Sequence, residues 1–229
     1  MSLIRTTKYF PAKQGSTVQD DDILFMCGFG GAIWQTKRLI GQLNCAGYNV
    51  TALDFPRSVL SSGDATLLPE LVDEVVAFAE VLAKNSSRKI LLVGISLGAL
   101  MSLNILRRSN TFDRAVGITG GNIATVAKKL YGNKVWPQSH AELLEQWKSV
   151  NIYTDPELIR GKRIIFVLPE RDKLIDTSEV IGEIGLQNRA GNSMQLVTRG
   201  TFSHIGTIIE ETILFPSRTI TYIETLNKL

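Results

Sequence analysis

The stretch Gly94-Ile95-Ser96-Leu97-Gly98 stands at the junction of two differently patterned segments. Before it, Lys89-Ile90-Leu91-Leu92-Val93 is a β-prone apolar run with the length of a buried strand. After it, Leu97 to Arg107 carries apolar residues at the spacing of a buried helix. The sequence therefore predicts that Ser96 lies in a sharp strand-to-helix turn, in which both flanking positions favour glycine. Such a turn exposes the serine hydroxyl and leaves the Leu97 amide at a helix N-terminus, where it can donate to an anion.

The segments on either side of this turn alternate between strand and helix patterns. Because strands joined by right-handed helical crossovers lie parallel, the alternation predicts a mostly parallel sheet with helices on both faces. Ligands bind beyond the carboxyl ends of the strands in such sheets, and Gly28, Ser96 and Gly120 all follow strand ends. The predicted strands are Ile4 to Phe10 at an edge, Ile23 to Cys27, Tyr48 to Asp54, Lys89 to Val93, Ala115 to Thr119, Arg163 to Leu168 and Ser193 to Thr198. The main predicted helices are Trp34 to Ala46, Leu67 to Lys84, Leu97 to Arg107, Thr177 to Leu186 and a last region through Leu226.

In this context the Gly94–Gly98 stretch resembles the nucleophile elbow of the α/β-hydrolase superfamily. A second resemblance follows the second predicted strand, where Gly28-Phe29-Gly30-Gly31 is similar to the superfamily's oxyanion loop, with Cys27 in place of the usual histidine. The resemblance implies that the Phe29 and Leu97 amides bind an oxyanion and that Gly28, Gly30 and Trp34 contact the substrate. The alternative for the glycines is a tight turn into the next helix.

The superfamily's order of serine, acid and histidine also occurs in this chain. Asp172 follows the predicted strand Arg163 to Leu168 and is the best match to the acid, with Glu170 and Asp176 as alternatives. His204 directly follows the last predicted strand, whereas the other histidine, His140, precedes any acid in that order and is interpreted as a surface or capping residue. The resemblance implies a catalytic triad of Ser96, Asp172 and His204.

These residues predict a serine hydrolase that cleaves an ester-like or related acyl bond of a small molecule through a covalent acyl-enzyme. A serine hydroxyl is a poor nucleophile near neutral pH, so it needs a base such as imidazole and an acceptor that fixes the imidazole tautomer. The resemblance implies a carboxylesterase, lipase or thioesterase, with no metal and no organic cofactor. Acyl transfer and a non-catalytic ligand-binding protein of the same fold are the alternatives.

One stretch, residues 122–160, interrupts the alternation with shorter helical pieces and resembles a short cap over the site of such hydrolases. Tyr131, Trp136 and Trp147 within it either line a pocket or pack in the core. Two residues of the earlier segment Gly47 to Arg57 also have two interpretations. Asp54 and Arg57 either contact the substrate or satisfy neighbouring backbone groups.

The composition is that of an ordinary soluble globular chain. Its 229 residues are 44% apolar and 21% charged, which predicts one domain, residues 1–229, with the cap-like insertion inside it. The net charge of +3 is spread without a basic stripe, so we expect no nucleic-acid binding. The only two cysteines, Cys27 and Cys45, indicate no disulfide framework and favour a reducing cytoplasm. No apolar run reaches the length of a membrane span, and no pattern defines an oligomeric state.

Overall fold

The computed structural model describes residues 2–151, 159–170, 172–189, 193–199 and 203–229. Part of the predicted cap-like insertion, residues 152–158, and the residues just before His204, 200–202, therefore lie outside the described residues. Within the described ranges, seven strands form one sheet in the order β1-β3-β2-β4-β5-β6-β7. The strands are β1 (Thr6–Phe10), β2 (Asp21–Met26), β3 (Val50–Asp54), β4 (Lys89–Ile95), β5 (Arg114–Ile118), β6 (Arg163–Pro169) and β7 (Ser193–Arg199).

The sheet is parallel except at one edge, where β1 runs antiparallel to β3. The order jumps from β2 to β4 at the centre, so β4 is flanked by β2 and β5. A mostly parallel sheet was predicted, and the pairings confirm it. This arrangement places the carboxyl ends of β2, β4, β5, β6 and β7 at one edge of the sheet, where the loops that follow them meet.

The helices connect the strands and cover both faces of the sheet. They are α1 (Lys37–Cys45), α2 (Ser58–Ser61), α3 (Leu67–Asn85), α4 (Leu97–Arg108), α5 (Ile123–Val135), α6 (His140–Gln146), α7 (Thr177–Arg189), α8 (His204–Ile209) and α9 (Ser217–Leu226). A 3₁₀ turn, Ile33–Thr36, leads into α1, and a π-helical turn, Glu210–Leu214, continues α8. The predicted helix from Trp34 therefore begins as a tighter 3₁₀ turn.

Alternation along the central strands divides the core into two apolar layers. Leu24 and Leu92 face the layer that contains α3 and α4, whereas Phe25 and Val93 face the layer that contains α1 and α9. The central strands β2 to β6 are buried on both faces, which explains why their sequences are largely continuous apolar runs rather than alternating ones.

The two tryptophans between β5 and β6 belong to the core and not to a pocket. Trp136 and Trp147 are fully buried and pack edge to face, with ring centroids 5.1 Å apart. Their indole N–H groups donate to the carbonyls of Leu60 and Ala65, at 3.0 and 2.9 Å. Of the two interpretations of these tryptophans, packing is therefore the one that the structure supports.

Candidate active site

Ser96 occupies a strained turn between β4 and α4. Its backbone has φ 52° and ψ −111°, a region that residues with a side chain rarely adopt. A Cβ at Gly94 would lie 2.1 Å from the Gly98 carbonyl oxygen, and a Cβ at Gly98 would lie 2.1 Å from the Met26 carbonyl oxygen. Both flanking positions therefore require glycine because backbone passes against backbone. The Ser96 amide donates to the Ile118 carbonyl of β5 at 2.7 Å, which fixes the turn to the neighbouring strand.

The three residues of the predicted triad lie together, although 76 and 32 positions separate them in the chain. The His204 Nε2 atom lies 3.2 Å from Ser96 Oγ, and His204 Nδ1 lies 2.9 Å from Asp172 Oδ2. The His204 side chain is 7% exposed and that of Asp172 is fully buried. This geometry can pass a proton from the serine hydroxyl to the imidazole, which the carboxylate orients.

Asp172 is held by its own loop as well as by His204. Its second oxygen, Oδ1, accepts from the amides of Leu174 and Ile175 at 2.7 and 3.1 Å. Burial alone would raise the pKa of Asp172, but the hydrogen bond and charge of His204 and the two amides outweigh it, so this pKa lies below its ordinary value. The carboxyl group is therefore ionised near neutral pH and can serve only as an acceptor.

The alternative acids and the other histidine have different surroundings. Asp176 Oδ1 accepts from the amides of Ser178 and Glu179 at the start of α7, and Glu170 is exposed. His140 lies at the start of α6, where its Nε2 atom is 3.0 Å from the Thr125 hydroxyl. Within the described residues, none of the three forms a hydrogen bond with Ser96 or His204.

The glycine loop after β2 lies directly against Ser96. A Cβ at Gly28 would be 3.4 Å from the Ser96 Cβ atom. Among the described residues, the amides of Phe29 and Leu97 have no acceptor. Two free amides beside one serine hydroxyl are suited to bind a developing oxyanion.

A cavity of about 620 Å³ opens above Ser96 and His204. Gly28, Gly30 and Trp34 border it on one side, and Trp34 is 68% exposed at its edge. Helix α8 and the π-helical turn contribute four isoleucines to the cavity lining, and further apolar side chains line it as well. The isoleucines are Ile205, Ile208, Ile209 and Ile213, and the further apolar side chains include the buried Leu60, Leu100, Ile123 and Val126 and the exposed Leu130.

Solved structures with this architecture are abundant, although the sequence itself matches no family model and no curated protein. An acylaminoacyl peptidase from Pyrococcus horikoshii aligns over 96% of this chain and 39% of its own, with a TM-score of 0.69 and 13% identity. This chain therefore spans well under half of that enzyme. An esterase from Pyrococcus furiosus aligns over 93% of this chain and 82% of its own, with a TM-score of 0.66 and 21% identity. A Thermogutta terrifontis esterase phosphonylated by sarin aligns over 95% of this chain and 89% of its own, with a TM-score of 0.66 and 15% identity.

This chain has the α/β-hydrolase fold. The sequence prediction of the fold is thereby confirmed. In this α/β-hydrolase fold, Cys27 precedes the glycine loop at the position where the resemblance places a histidine. Burial raises the pKa of the Cys27 thiol to about 12, even though a hydrogen bond with Thr36 lowers it, so the side chain is an uncharged, small, buried group.

The loop of this α/β-hydrolase fold is supported by an ion pair. Arg5 donates to the Gly31 carbonyl at 3.0 Å and pairs with Asp54 at 3.0 Å. The other oxygen of Asp54 accepts from the Ile33 amide at 3.3 Å. Asp54 therefore satisfies backbone groups rather than facing the cavity, which decides between its two interpretations. No sequence pattern indicated Arg5, because its partner Asp54 lies 49 positions away in the chain.

A second polar network supports the other side of the site. Arg199, the last residue of β7, pairs with the fully buried Glu211 of the π-helical turn at 2.9 Å. Tyr222 of α9 contacts Arg199 and donates to Glu211 at 3.2 Å. Burial raises the pKa of Glu211 above its ordinary value, although Arg199 lowers it. The network thus joins the strand before His204 to the helix that begins at His204, and it was not predicted from the sequence.

Other kinds of site find no support in the part of the chain that the structure describes. Histidine, cysteine and acidic side chains form no cluster of three or more there that could hold a metal ion. No described helix is both long enough and apolar enough to cross a membrane.

Proposed function

We propose that this protein is a serine hydrolase that cleaves carboxylic esters with apolar acyl groups through a covalent acyl-enzyme. The observation that carries the proposal is the continuous hydrogen-bonded path from Ser96 Oγ through the His204 ring to Asp172. The esterases from Pyrococcus furiosus and Thermogutta terrifontis share the fold over most of their length, which favours an esterase among the enzymes of this fold.

The reaction begins with attack of Ser96 Oγ on the ester carbonyl carbon, while His204 Nε2 accepts the hydroxyl proton. Asp172 holds the Nδ1 proton of His204 and so keeps Nε2 available as the acceptor. The carbonyl oxygen becomes an oxyanion that accepts from the Phe29 and Leu97 amides. His204 then gives its proton to the departing alcohol oxygen, which leaves the acyl group on Ser96.

Water completes the cycle. His204 removes a proton from a water molecule as it attacks the acyl carbon, and the second tetrahedral species collapses when the proton returns to Ser96 Oγ. The products are a carboxylic acid and an alcohol, and the protein returns to its initial protonation state. Donors already fixed in place stabilise both tetrahedral species without reorganisation.

The cavity supports an apolar substrate. Buried leucine, isoleucine and valine side chains line it, and the four isoleucines of α8 and the π-helical turn add to this apolar surface. Burial of each methylene of an acyl chain against such a surface contributes about 0.8 kcal/mol. We therefore expect kcat/KM to rise with acyl-chain length until the cavity is filled.

A fluorophosphonate probe tests the nucleophile. The wild-type protein is treated with the probe and the labelled peptide is identified by mass spectrometry, with Ser96→Ala as the test variant and Ser149→Ala, an exposed serine, as the matched control. We expect labelling of wild type and Ser149→Ala and none of Ser96→Ala. A panel of p-nitrophenyl esters of increasing acyl length then tests the substrate class. Equal labelling of Ser96→Ala would refute the nucleophile, and labelling without ester hydrolysis would favour acyl transfer.

A further inference from the structure

A cation that the proposed reaction does not use lies against the glycine loop, next to the residues that line the cavity. Arg57 lies in the loop between β3 and α2, and its side chain packs on Gly30, where an added Cβ would be 2.9 Å from Arg57 Nε. Gly30 itself lines the cavity. Since Gly30 follows Phe29 directly, the guanidinium lies next to the amide that would bind the oxyanion.

Tyr131 of α5 also contacts the glycine loop. Its ring packs edge to face on Phe29, with ring centroids 6.0 Å apart and an interplanar angle of 86°. Burial raises the pKa of the Tyr131 hydroxyl, and the positive charge of Arg57 opposes that rise, so the hydroxyl lies within the field of the guanidinium. Two hydrogen-bond donors from different elements therefore lie on the same side of the glycine loop.

Neither donor has an acceptor among the described residues. Two other arginines beside the site are paired, Arg5 with Asp54 and Arg199 with Glu211. Arg57 is exposed, and no carboxylate among the described residues pairs with it. A guanidinium presents several N–H donors in a planar fork that matches a carboxylate, so such a group from outside the chain would complete this arrangement.

We infer that the substrate carries a carboxylate, which Arg57 binds with help from the Tyr131 hydroxyl while the ester carbonyl accepts from the Phe29 and Leu97 amides. This inference depends on the proposed hydrolase function. The substrate is then an amphiphilic ester with two recognised parts. Its apolar part fills the cavity, and its anionic part lies at the rim beside Gly30.

Matched ester pairs test the inference by kinetics. Each pair consists of a p-nitrophenyl ester with a terminal carboxylate and the same ester with a terminal carboxamide, over a series of spacer lengths. For the best spacer, we expect Arg57→Gln to lower kcat/KM for the carboxylate ester about tenfold more than for the carboxamide ester. Tyr131→Phe should also lower kcat/KM for the carboxylate ester, but by a smaller factor. Lys89→Gln, which removes an exposed charge at the far end of β4, should leave both esters unchanged.

Two kinetic outcomes would overturn the inference. An equal loss for both esters in Arg57→Gln would mean that Arg57 only supports the glycine loop. No preference of wild type for any carboxylate ester would mean that the rim binds no anion.

Binding to Ser96→Ala separates this inference from the proposed reaction. Calorimetry on that variant should give tighter binding of the carboxylate ester than of the carboxamide ester, and added Arg57→Gln should remove the difference. Tighter binding without turnover in wild type would refute the proposed function and retain the anion site. Equal binding of the two esters would refute the anion site and leave the hydrolase proposal standing.

Discussion

The replacement Asp172→Asn probes the proposed triad most directly, because the structure predicts how the new amide would be oriented. In the wild type, Oδ1 of Asp172 accepts from the amides of Leu174 and Ile175, and Oδ2 faces His204 Nδ1. An asparagine must keep its single oxygen on the two backbone donors, so its NH₂ group would face His204. The imidazole would then accept at Nδ1 and carry its proton on Nε2, which faces Ser96. In that tautomer His204 cannot accept the serine proton.

The expected loss of kcat follows from the free energy needed to turn the asparagine amide around, which would restore the active tautomer of His204. Turning the amide would leave the Leu174 and Ile175 donors without an acceptor, at about 1.5 kcal/mol each, or about 3 kcal/mol together. Fewer than roughly one molecule in a hundred would then have the active tautomer. The expected fall in kcat therefore lies between roughly 10² and the loss of about 10⁴ that follows replacement of a triad aspartate in serine proteases.

Steady-state hydrolysis of a short p-nitrophenyl ester measures this effect, with KM expected to change little. Asp176→Asn is the matched control, since it makes the same chemical change in the same loop at a residue that caps α7. Thermal unfolding of each variant checks that the fold is intact. A large loss of kcat in Asp176→Asn with almost none in Asp172→Asn would refute the assignment of the acid.

Two further predictions concern the histidines and the acid stability of the site. His204→Gln should lower kcat by about 10²–10⁴ because it removes the proton acceptor, whereas His140→Gln should leave kcat and its pH profile unchanged; comparable pH–rate profiles for the two variants would contradict the proposed base. Because the folded-state pKa of Asp172 lies below its unfolded value of about 3.9, its ionised form stabilises the fold above that pH, and this contribution is lost as the pH falls through the folded pKa. Urea unfolding should therefore give a difference in unfolding free energy between wild type and Asp172→Asn that narrows below about pH 4, and a constant difference would argue against this linkage.

The fold could be predicted from the sequence because local patterns and topology agree. The buried strands are continuous apolar runs, such as Ile23 to Met26, and the helices between them have apolar faces. Gly94 and Gly98 around Ser96 predicted the close approach between backbone segments that the structure shows. Because the right-handed crossover rule permits few topologies for such a pattern, the parallel central sheet could be predicted. The 3₁₀ turn before α1 could not be predicted, because the type of helix at the end of an element has no comparable sequence signal.

The surroundings of the candidate site were harder to predict, because they depend on pairs distant in sequence. Arg57 and Asp54 occur in the same short segment, yet one packs on Gly30 at the rim and the other pairs with Arg5. Nothing in the local sequence distinguishes these outcomes. The last helical region was predicted, but not that its residues Ile205 and Ile209 line the cavity. Such information exists only once the chain has folded.

The ion pairs on the two sides of Ser96 have a common physical logic. An ion pair with a buried carboxylate adds little net stability, because desolvation offsets much of the attraction, but loss of the arginine leaves the carboxylate buried without a counter-charge. Such a pair therefore holds one arrangement of the elements that it joins. Arg5 and Asp54 join β1 and β3 to the glycine loop, and Arg199 and Glu211 join β7 to the helix of His204. Catalytic geometry must hold to within about 0.5 Å, which loops alone rarely achieve. In this molecule the loops on both sides of Ser96 are tied to strands of the sheet, so the rigidity of the sheet extends to the 3.2 Å separation between Ser96 and His204.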